Sequence, residues 1–467
     1  MAQRTLKVDS PYTGEIVYEA PLTETAELDG VMTAARVAQQ AWAQVPLAER
    51  VQVMEKVVAA FEDKREQYAQ EITESMGKPV GQANGEINGM IDRIRQMSSI
   101  AEAGLADEVL PAKDGFSRFI RREPVGVVVV LAAWNYPLLI AINPTIAAVL
   151  AGNAVVLKHS SRTPRCSEQI AEAFEAAGVP KGLVTAIHTS HETAEALVAH
   201  PLAGFVSFTG SVSGGRRIYR AVAESRFIDV ALELGGKDPA YIAADADLDF
   251  TIDNVVDGAF YNAGQSCCGV ERVYVEASVY DRVVEAMVEK TRGYVLGDPM
   301  KDTTSIGPLA QPGAPAFLEG QVADAKQRGA RVLLGGNATS DDGRGRFFAP
   351  TIAANTDHAM AIASEESFGP VVAVAKVESD ADAIAKMNDS AYGLTASVWT
   401  NDQERAMRIA TALQAGTVFM NRADYLDPLL AWTGWKDSGK GVSLSRLGFH
   451  AVTRAKSYHL RTTIPKS

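Results

Sequence analysis

Near-continuous apolar runs recur along the middle of the chain, at residues 127–132, 154–157, 183–187 and 204–208, each followed by a turn and a stretch of helical periodicity. Runs of Val, Ile and Leu this short, alternating with helices, predict strands buried on both faces of a parallel sheet. The pattern is that of a doubly wound, Rossmann-like α/β domain. Such sheets bind ligands beyond the carboxyl ends of their strands, so the residues after each run are the ones to read for chemistry. Upstream, Met54, Val57, Val58 and Phe61 follow the i, i+3, i+4, i+7 spacing of a half-buried helix. Helices are expected to about residue 105, as scaffold only, after a turn cluster at Ser10-Pro-Tyr-Thr-Gly-Glu15.

Two segments break this rhythm by alternating with period two. Phe116-Ser-Arg-Phe-Ile-Arg121, after Pro111 and Gly115, predicts a hairpin within residues 107–123, and Ala455-Lys-Ser-Tyr-His-Leu-Arg461 alternates near the other end. Unpaired exposed strands invite aggregation, so the two segments are expected to form an oligomerisation arm, residues 107–123 and 449–467. Between them, helical patterns at 283–294, 381–387 and 404–413 alternate with strand patterns at 371–377, 396–400 and 416–420, which predicts a second α/β domain.

Composition narrows the function. A chain of 467 residues, 47% hydrophobic, can bury a large core and divide into domains. Its net charge of −12 argues against a general nucleic-acid binder, which needs a basic surface. The longest apolar run, residues 125–133, is too short to span a bilayer, and the first nine residues carry no apolar signal core. Three cysteines, Cys166, Cys267 and Cys268, give neither a disulfide framework nor a Cys/His metal spacing. A cytoplasmic protein without a metal centre is the expectation.

The candidate chemistry lies between residues 229 and 275. Glu233 ends a short apolar run before Gly235-Gly236, and Cys267 follows Gly264-Gln265. Between them Ile252, Val255, Val256, Ala259 and Phe260 predict an amphipathic helix ending near Gly264. A strand-end carboxylate and a loop thiol can then share one cleft. A thiolate is a carbon nucleophile and a carboxylate can deprotonate water, so the pair suits a covalent acyl intermediate followed by hydrolysis. Each residue alone reads more simply, as a buried apolar cysteine and a strand-end charge.

Taken together, Glu-Leu-Gly-Gly-Lys followed 34 positions after its Glu by the Cys of Gly-Gln-x-Cys resembles the aldehyde dehydrogenase superfamily. The resemblance implies that Cys267 is the nucleophile and Glu233 the general base, with Cys268 the less favoured thiol. It also implies a nicotinamide-binding domain of residues 1–106 and 124–234 and a catalytic domain of residues 235–448. Ala133-Trp-Asn-Tyr-Pro137 resembles the family's Trp-Asn-aromatic-Pro, which makes Asn135 an oxyanion donor rather than a helix cap. Phe208-Thr-Gly-Ser211, closing at Gly215, resembles the family's pyrophosphate turn, implying that Gly210, Ser211 and Gly215 contact the cofactor. Glu365-Glu-Ser-Phe-Gly-Pro370 resembles Glu-x-Phe-Gly-Pro, implying that Glu366 holds the nicotinamide ribose and Phe368 packs on the ring, with Trp134 and Leu234 nearby. Asn421 and Lys436-Asp-Ser-Gly439 match the family's closing motifs.

At Lys158-His-Ser-Ser161 the chain departs from the family's Lys-Pro-Ser-Glu. The Glu that would grip the adenosine 2′-hydroxyl is Ser161, so NADP is expected to be accepted beside NAD. Lys158 supplies positive charge there, with Arg162 as a forked donor if it points inward. The expected aldehyde funnel comprises Tyr136, Asn143, Ser266, Leu426 and Trp432. Asn143 replaces a bulky aromatic, giving a wider or more polar funnel. Arg422 and Asp424 are either substrate contacts or solvated loop charges, with the bland reading favoured. Two alternatives stand beside aldehyde oxidation: a CoA-acylating relative, which characteristically lacks the Glu base, and a catalytically silent binding or structural protein on the same fold. A homodimer or homotetramer is expected.

Overall fold

The structure, a computed structural model, describes residues 4–464; residues 1–3 and 465–467, at the outer ends of the expected cofactor domain and arm, lie outside the described residues. The predicted parallel sheet is present. Its strands stand in the spatial order Asp229–Glu233, Ala203–Thr209, Val127–Ala132, Ala154–His159 and Val184–Ile187, all parallel. The two-residue strand Gly439–Lys440 adds antiparallel beside Asp229–Glu233. Val127–Ala132 is buried at every position because helices cover both faces. From this central strand the chain winds outward to Val184–Ile187, then returns to build Ala203–Thr209 on the other side. The switch point therefore lies after Ala132 and Thr209, where such sheets open a crevice.

A second sheet of seven strands runs Arg331–Leu334, Thr351–Ala354, Val371–Val377, Val270–Glu276, Asp238–Ile242, Thr395–Trp399 and Thr417–Met420, parallel except at its first pair. The patterns at 371–377, 396–400 and 416–420 match strands within a residue. Asp238–Ile242 is a central strand that periodicity does not predict, because Pro239 argues against one. The ladder accommodates the proline with a register shift between Asp238 and Pro239.

Two expectations change. The helix after Ala246 runs Leu248–Phe260 and stops short of Gly264; residues Tyr261–Gly264 form a tight turn with Asn262 and Ala263 at φ of 53° and 55°. The alternating segments do form strands, but they pair with each other inside one chain. Thr453–Arg461 lies antiparallel along the whole of Phe116–Pro124, from Thr453 opposite Pro124 to Arg461 opposite Phe116. Cross-strand rings fix that register, Phe119 stacking on Tyr458 at 4.5 Å and Phe116 on His459 at 5.0 Å. The hairpin within 107–123 is reduced to a two-residue strand, Glu108–Val109.

The N-terminal helices are more than scaffold, because helix Val80–Ser99 packs on Pro137–Leu150, the helix that follows the central strand. The chain end is anchored likewise: Phe449, fully buried on helix Ser445–Ala451, seats on Gly104 of helix Ala101–Leu105, where a Cβ would lie 2.5 Å from its ring. No helix among the described residues is long and apolar enough to cross a membrane.

Candidate active site

Glu233 is the last residue of its strand, opposite Thr209 on one side and Gly439 on the other. Ser443 Oγ donates to Glu233 Oε1 at 2.5 Å. Burial pushes the carboxyl up, while Ser443, the Arg93 charge and Thr209 pull it down, the burial prevailing. Such a group keeps its proton to a higher pH than an exposed glutamate and is correspondingly more basic once ionised. The chain then turns at Gly235-Gly236, and both glycines are required by close approach. A Cβ on Gly235 would fall 2.3 Å from a Glu366 oxygen, and one on Gly236 would fall 2.4 Å from the Cys267 carbonyl oxygen.

Cys267 comes to this point on the loop between the Tyr261–Gly264 turn and strand Val270–Glu276. The loop is tied by side-chain amides. Asn262 Nδ2 donates to the carbonyls of Asn135 (3.0 Å) and Gln265 (3.1 Å), and Gln265 Nε2 donates back to Asn262 O at 3.0 Å. Asn135 stands just past the central strand, 2% exposed, and its Nδ2 has no hydrogen-bond partner. A buried amide donor left open is costly unless a ligand oxygen completes it. Asn135 is not a helix cap: Glu86 Oε1, from helix Val80–Ser99, accepts from the N–H groups of Leu138 (2.8 Å) and Leu139 (3.3 Å) instead.

The adjacent thiols differ sharply. Cys268 is buried and donates to Asp424 Oδ1 at 3.0 Å, and the neighbouring Cys267 thiol and burial push its pKa well above the usual range. Cys267 is half-buried, and with Glu233 and Thr209 it lines two separate cavities. One, of about 160 Å³, is bounded by Trp134, Asn135, Leu234, Gly235, Glu366 and Phe368. The other, of about 320 Å³, is bounded by Tyr136, Asn143, Leu426 and Trp432.

The smaller chamber continues into a cleft of about 530 Å³ along the strand ends, past Trp134, Lys158, Ser161, Gly210 and Ser211. Trp134 and Phe368 meet edge-on at 5.4 Å. Glu366 Oε1 accepts from Gly236 N–H at 2.9 Å, and burial beside Glu271 pushes its carboxyl up to about 7. Ser211 caps helix Val212–Ser225, whose N-terminus offers unpaired N–H groups to an anion. This elongated cleft, with a phosphate-ready helix end and a ring-lined inner chamber, fits a nicotinamide dinucleotide. Gly215 does not line it: its place is packing, since a Cβ there would lie 2.6 Å from Leu234 Cδ2, and Ser213 and Gly214 border the cleft instead. Arg162 points away, its Nη1 on Asp9 Oδ1 at 2.6 Å and its Nε on the Ser75 carbonyl at 2.9 Å. The arginine that does border the cleft is Arg217, ion-paired with Glu195. Burial lowers the Lys158 ammonium to about 8.

Around the larger cavity Tyr136, Asn143, Leu426 and Trp432 stand in the wall as expected, whereas Ser266 lies behind it, donating to Asp424 Oδ1 at 2.9 Å. Asp424 is thus neither a solvated loop charge nor a free substrate partner. Arg422 is exposed and stacks over the Tyr425 ring at 3.4 Å. The space beside Asn143 is taken by Arg93, which donates to Asn143 Oδ1 at 3.0 Å and to Leu139 O at 3.2 Å. Asn143 and Arg93 together place one polar patch in that wall. Helix Val80–Ser99 forms a whole side of it through Gln82, Gly85, Glu86, Gly89 and Arg93, a stripe at helical spacing that was legible as one face but not as part of a site.

A family model described as the aldehyde dehydrogenase family matches residues 1–458. The 3,6-anhydro-alpha-L-galactose dehydrogenase of Streptomyces coelicolor is 35% identical over 98% of this chain and 94% of its own length. The mitochondrial aldehyde dehydrogenase of Homo sapiens is 33% identical over 98% and 89%. Among solved structures, an NAD-dependent aldehyde dehydrogenase from Sinorhizobium meliloti superposes with a TM-score of 0.95 at 33% identity, covering 99% of this chain and 93% of that one. A 3,6-anhydro-L-galactose dehydrogenase solved with NADP superposes with a TM-score of 0.93 at 31% identity, covering 98% and 96%. The chain belongs to the aldehyde dehydrogenase family, as an NAD(P)-dependent oxidoreductase that oxidises aldehydes to carboxylic acids.

Proposed function

We propose that Cys267 attacks the aldehyde carbon, that Asn135 Nδ2 and the Cys267 backbone N–H stabilise the oxyanion so formed, and that Glu233 activates the water that hydrolyses the resulting thioester. The observation that carries this reading is the wall shared by the two chambers: Cys267 and Glu233 face both, so a thiol and a base reach a ligand on either side. A bound nicotinamide supplies the hydride acceptor. Trp134, Leu234, Glu366 and Phe368 would hold its ribose half, and Lys158, Ser161, Gly210 and Ser211 its phosphates and adenosine end. One side-chain oxyanion donor contributes about 2.7–4 kcal/mol in comparable acyl transfers. Glu233, lining the same two chambers as Cys267, supports water, not a CoA thiol, as the acyl acceptor.

We read the first sheet, within residues 1–106 and 124–234, as the cofactor domain and residues 235–448 as the catalytic domain. Strand Gly439–Lys440 crosses that division, which brings the catalytic part onto the Glu233 edge. Three free thiols support a reducing compartment such as the cytoplasm, which cell fractionation tests. The outer edge of Thr453–Arg461, mostly exposed, supports pairing with another copy. Light scattering at micromolar concentration should give the mass of a dimer or tetramer; a monomer would remove the arm from any role in assembly.

Glu233→Gln should still reduce cofactor in one stoichiometric burst and then stall at the acyl-enzyme, with steady turnover down by ~10²-fold or more. In the unaltered enzyme, turnover limited by deacylation should fall as pH drops below the raised Glu233 pKa, since the ionised base is lost there while the burst persists. Equal loss of burst and turnover in the variant would place Glu233 before hydride transfer.

Ser161 lacks the charge that would repel a 2′-phosphate, and Lys158 adds an attractive one. NADP should therefore be used at least as well as NAD, and Ser161→Glu should shift the kcat/KM ratio toward NAD by ~10-fold, about 1.4 kcal/mol. A greater than tenfold preference for NAD in the unaltered enzyme, or an unchanged ratio in the variant, contradicts this.

A further inference from the structure

Asp424 takes no step in the proposed chemistry, yet it holds both neighbours of the thiol. Cys267 and Cys268 are the central residues of a four-residue turn, closed by the Gly269 N–H on the Ser266 carbonyl at 3.3 Å. That bond is longer than a typical N–H···O contact, so by itself it holds the middle peptides of the turn weakly. The chain on either side is better secured. Asn262 and Gln265 tie the approach through their amides, and Val270 begins the strand paired with Asp238. Between those supports, the side chains at the first and third positions of the turn converge on one atom. Ser266 Oγ donates to Asp424 Oδ1 at 2.9 Å, and Cys268 Sγ donates to the same oxygen at 3.0 Å. One carboxylate oxygen has lone pairs enough for both donors.

Asp424 is itself held in an unfavourable state. Its backbone lies in the left-handed region at φ of 46°, uncommon for a residue with a side chain. Burial pushes its carboxyl up, while Cys268, Ser266, the Lys78 charge and Tyr136 pull it down. Backbone strain of this kind persists only where the surrounding structure imposes it, and it clusters at reactive sites. The clamp bears directly on one peptide. The Cys267 N–H belongs to the peptide joining Ser266 to Cys267, and it donates to no acceptor among the described residues; the buried Asn135 Nδ2 is likewise without a partner. Because the clamped side chains flank Cys267, they set both the direction of that N–H and the direction in which Sγ leaves the backbone. Cys268 donates only while it keeps its proton, and the Cys267 thiol, burial and the Asp424 charge all favour that protonated form.

We infer that Asp424 is a positioning residue for the nucleophile: by holding Ser266 and Cys268 on one oxygen, it fixes the turn so that Cys267 Sγ and the Cys267 N–H face the aldehyde together. Its effect passes through the two donors and not through a contact with substrate. The inference rests on Cys267 being the reacting thiol and its N–H an oxyanion donor.

The test reads the first-turnover rate of cofactor reduction by stopped flow, at saturating NAD(P) and saturating propanal or benzaldehyde, whichever the unaltered enzyme oxidises faster. Asp424→Ala should lower that rate ~10-fold or more, as misplacement of a reacting group does, while the dissociation constant of NAD(P) stays unchanged. Ser266→Ala and Cys268→Ala combined in one chain should reproduce the loss, and adding Asp424→Ala to that pair should cost nothing further. Either single replacement should cost less than the pair, and Asp424→Asn, whose amide oxygen still accepts, should recover most of the rate. A loss confined to the aldehyde KM, with the first-turnover rate at saturation unchanged, would make Asp424 a substrate contact and overturn the inference. Full additivity of Asp424→Ala with the donor pair would overturn it too. So would a donor pair as fast as the unaltered enzyme, a result that decides the matter even if Asp424→Ala does not fold. Cofactor reduction by a Cys267→Ser variant in proportion to added aldehyde would instead defeat the assignment of the thiol, so the two failures are distinguishable.

Discussion

Two segments from different sheets meet at the thiol because the turn between Glu233 and Lys237 carries no side chains at its apex. Gly236 rests against the carbonyl of Cys267, and Gly235 against the carboxylate of Glu366. Any Cβ at either position would push apart the strand end that bears the carboxylate, the loop that bears the thiol, and the loop that closes the smaller chamber. The lysine that follows extends the same constraint inward. Lys237, fully buried, pairs with Glu271 at 2.6 Å, and Glu271 accepts from the backbone N–H groups of Ser367 (2.8 Å) and Phe368 (2.9 Å). Breaking such a buried pair from one side typically costs about 3–5 kcal/mol, because the remaining charge is stranded. Lys237 thus serves as a tether for the loop carrying Glu366 and Phe368.

The same logic recurs on the other side of the thiol. Lys78 and Glu86 form a second buried pair, Glu86 caps the helix that follows Asn135, and Lys78 lies 4.1 Å from the centre of the Tyr136 ring. Asn262 ties the Asn135 carbonyl to the loop of Cys267. The donor proposed for the oxyanion and the thiol that would create it are therefore positioned by one amide. A site assembled from strand ends and side-chain tethers can hold charge-stabilising groups in place before any charge develops, which is the condition for electrostatic stabilisation to lower a barrier.

The sheet topology was legible because buried parallel strands announce themselves as apolar runs, and the strands after residues 126, 153 and 203 needed little else. Asp238–Ile242 was not legible, since Pro239 disguises a central strand that tolerates it only through a register shift. Glu233, Cys267 and Asn135 could be singled out because each sits in a short motif at a strand or loop end. Glu86, Arg93 and Ser443 could not. They reach the site from a helix and from an isolated bridge to Trp432, both distant in sequence, and their spacing there is that of any amphipathic face or loop. Arg162 shows the converse, because a forked donor beside Ser161 promised a phosphate contact, yet Asp9, far away in sequence, claims it. Local motifs identify reactive groups; the long-range partners that tune them appear only with the packing.

The division of labour between two adjacent thiols is the most exposed part of the account. It is tested by mixing the enzyme with aldehyde and NAD(P), quenching with acid within the first turnover, and locating the added mass on the peptide carrying Cys267 and Cys268. The account requires an acyl adduct on Cys267, unaffected by Cys268→Ala and absent from Cys267→Ser. An adduct on Cys268, or cofactor reduction with no acylated cysteine at any time, would contradict it.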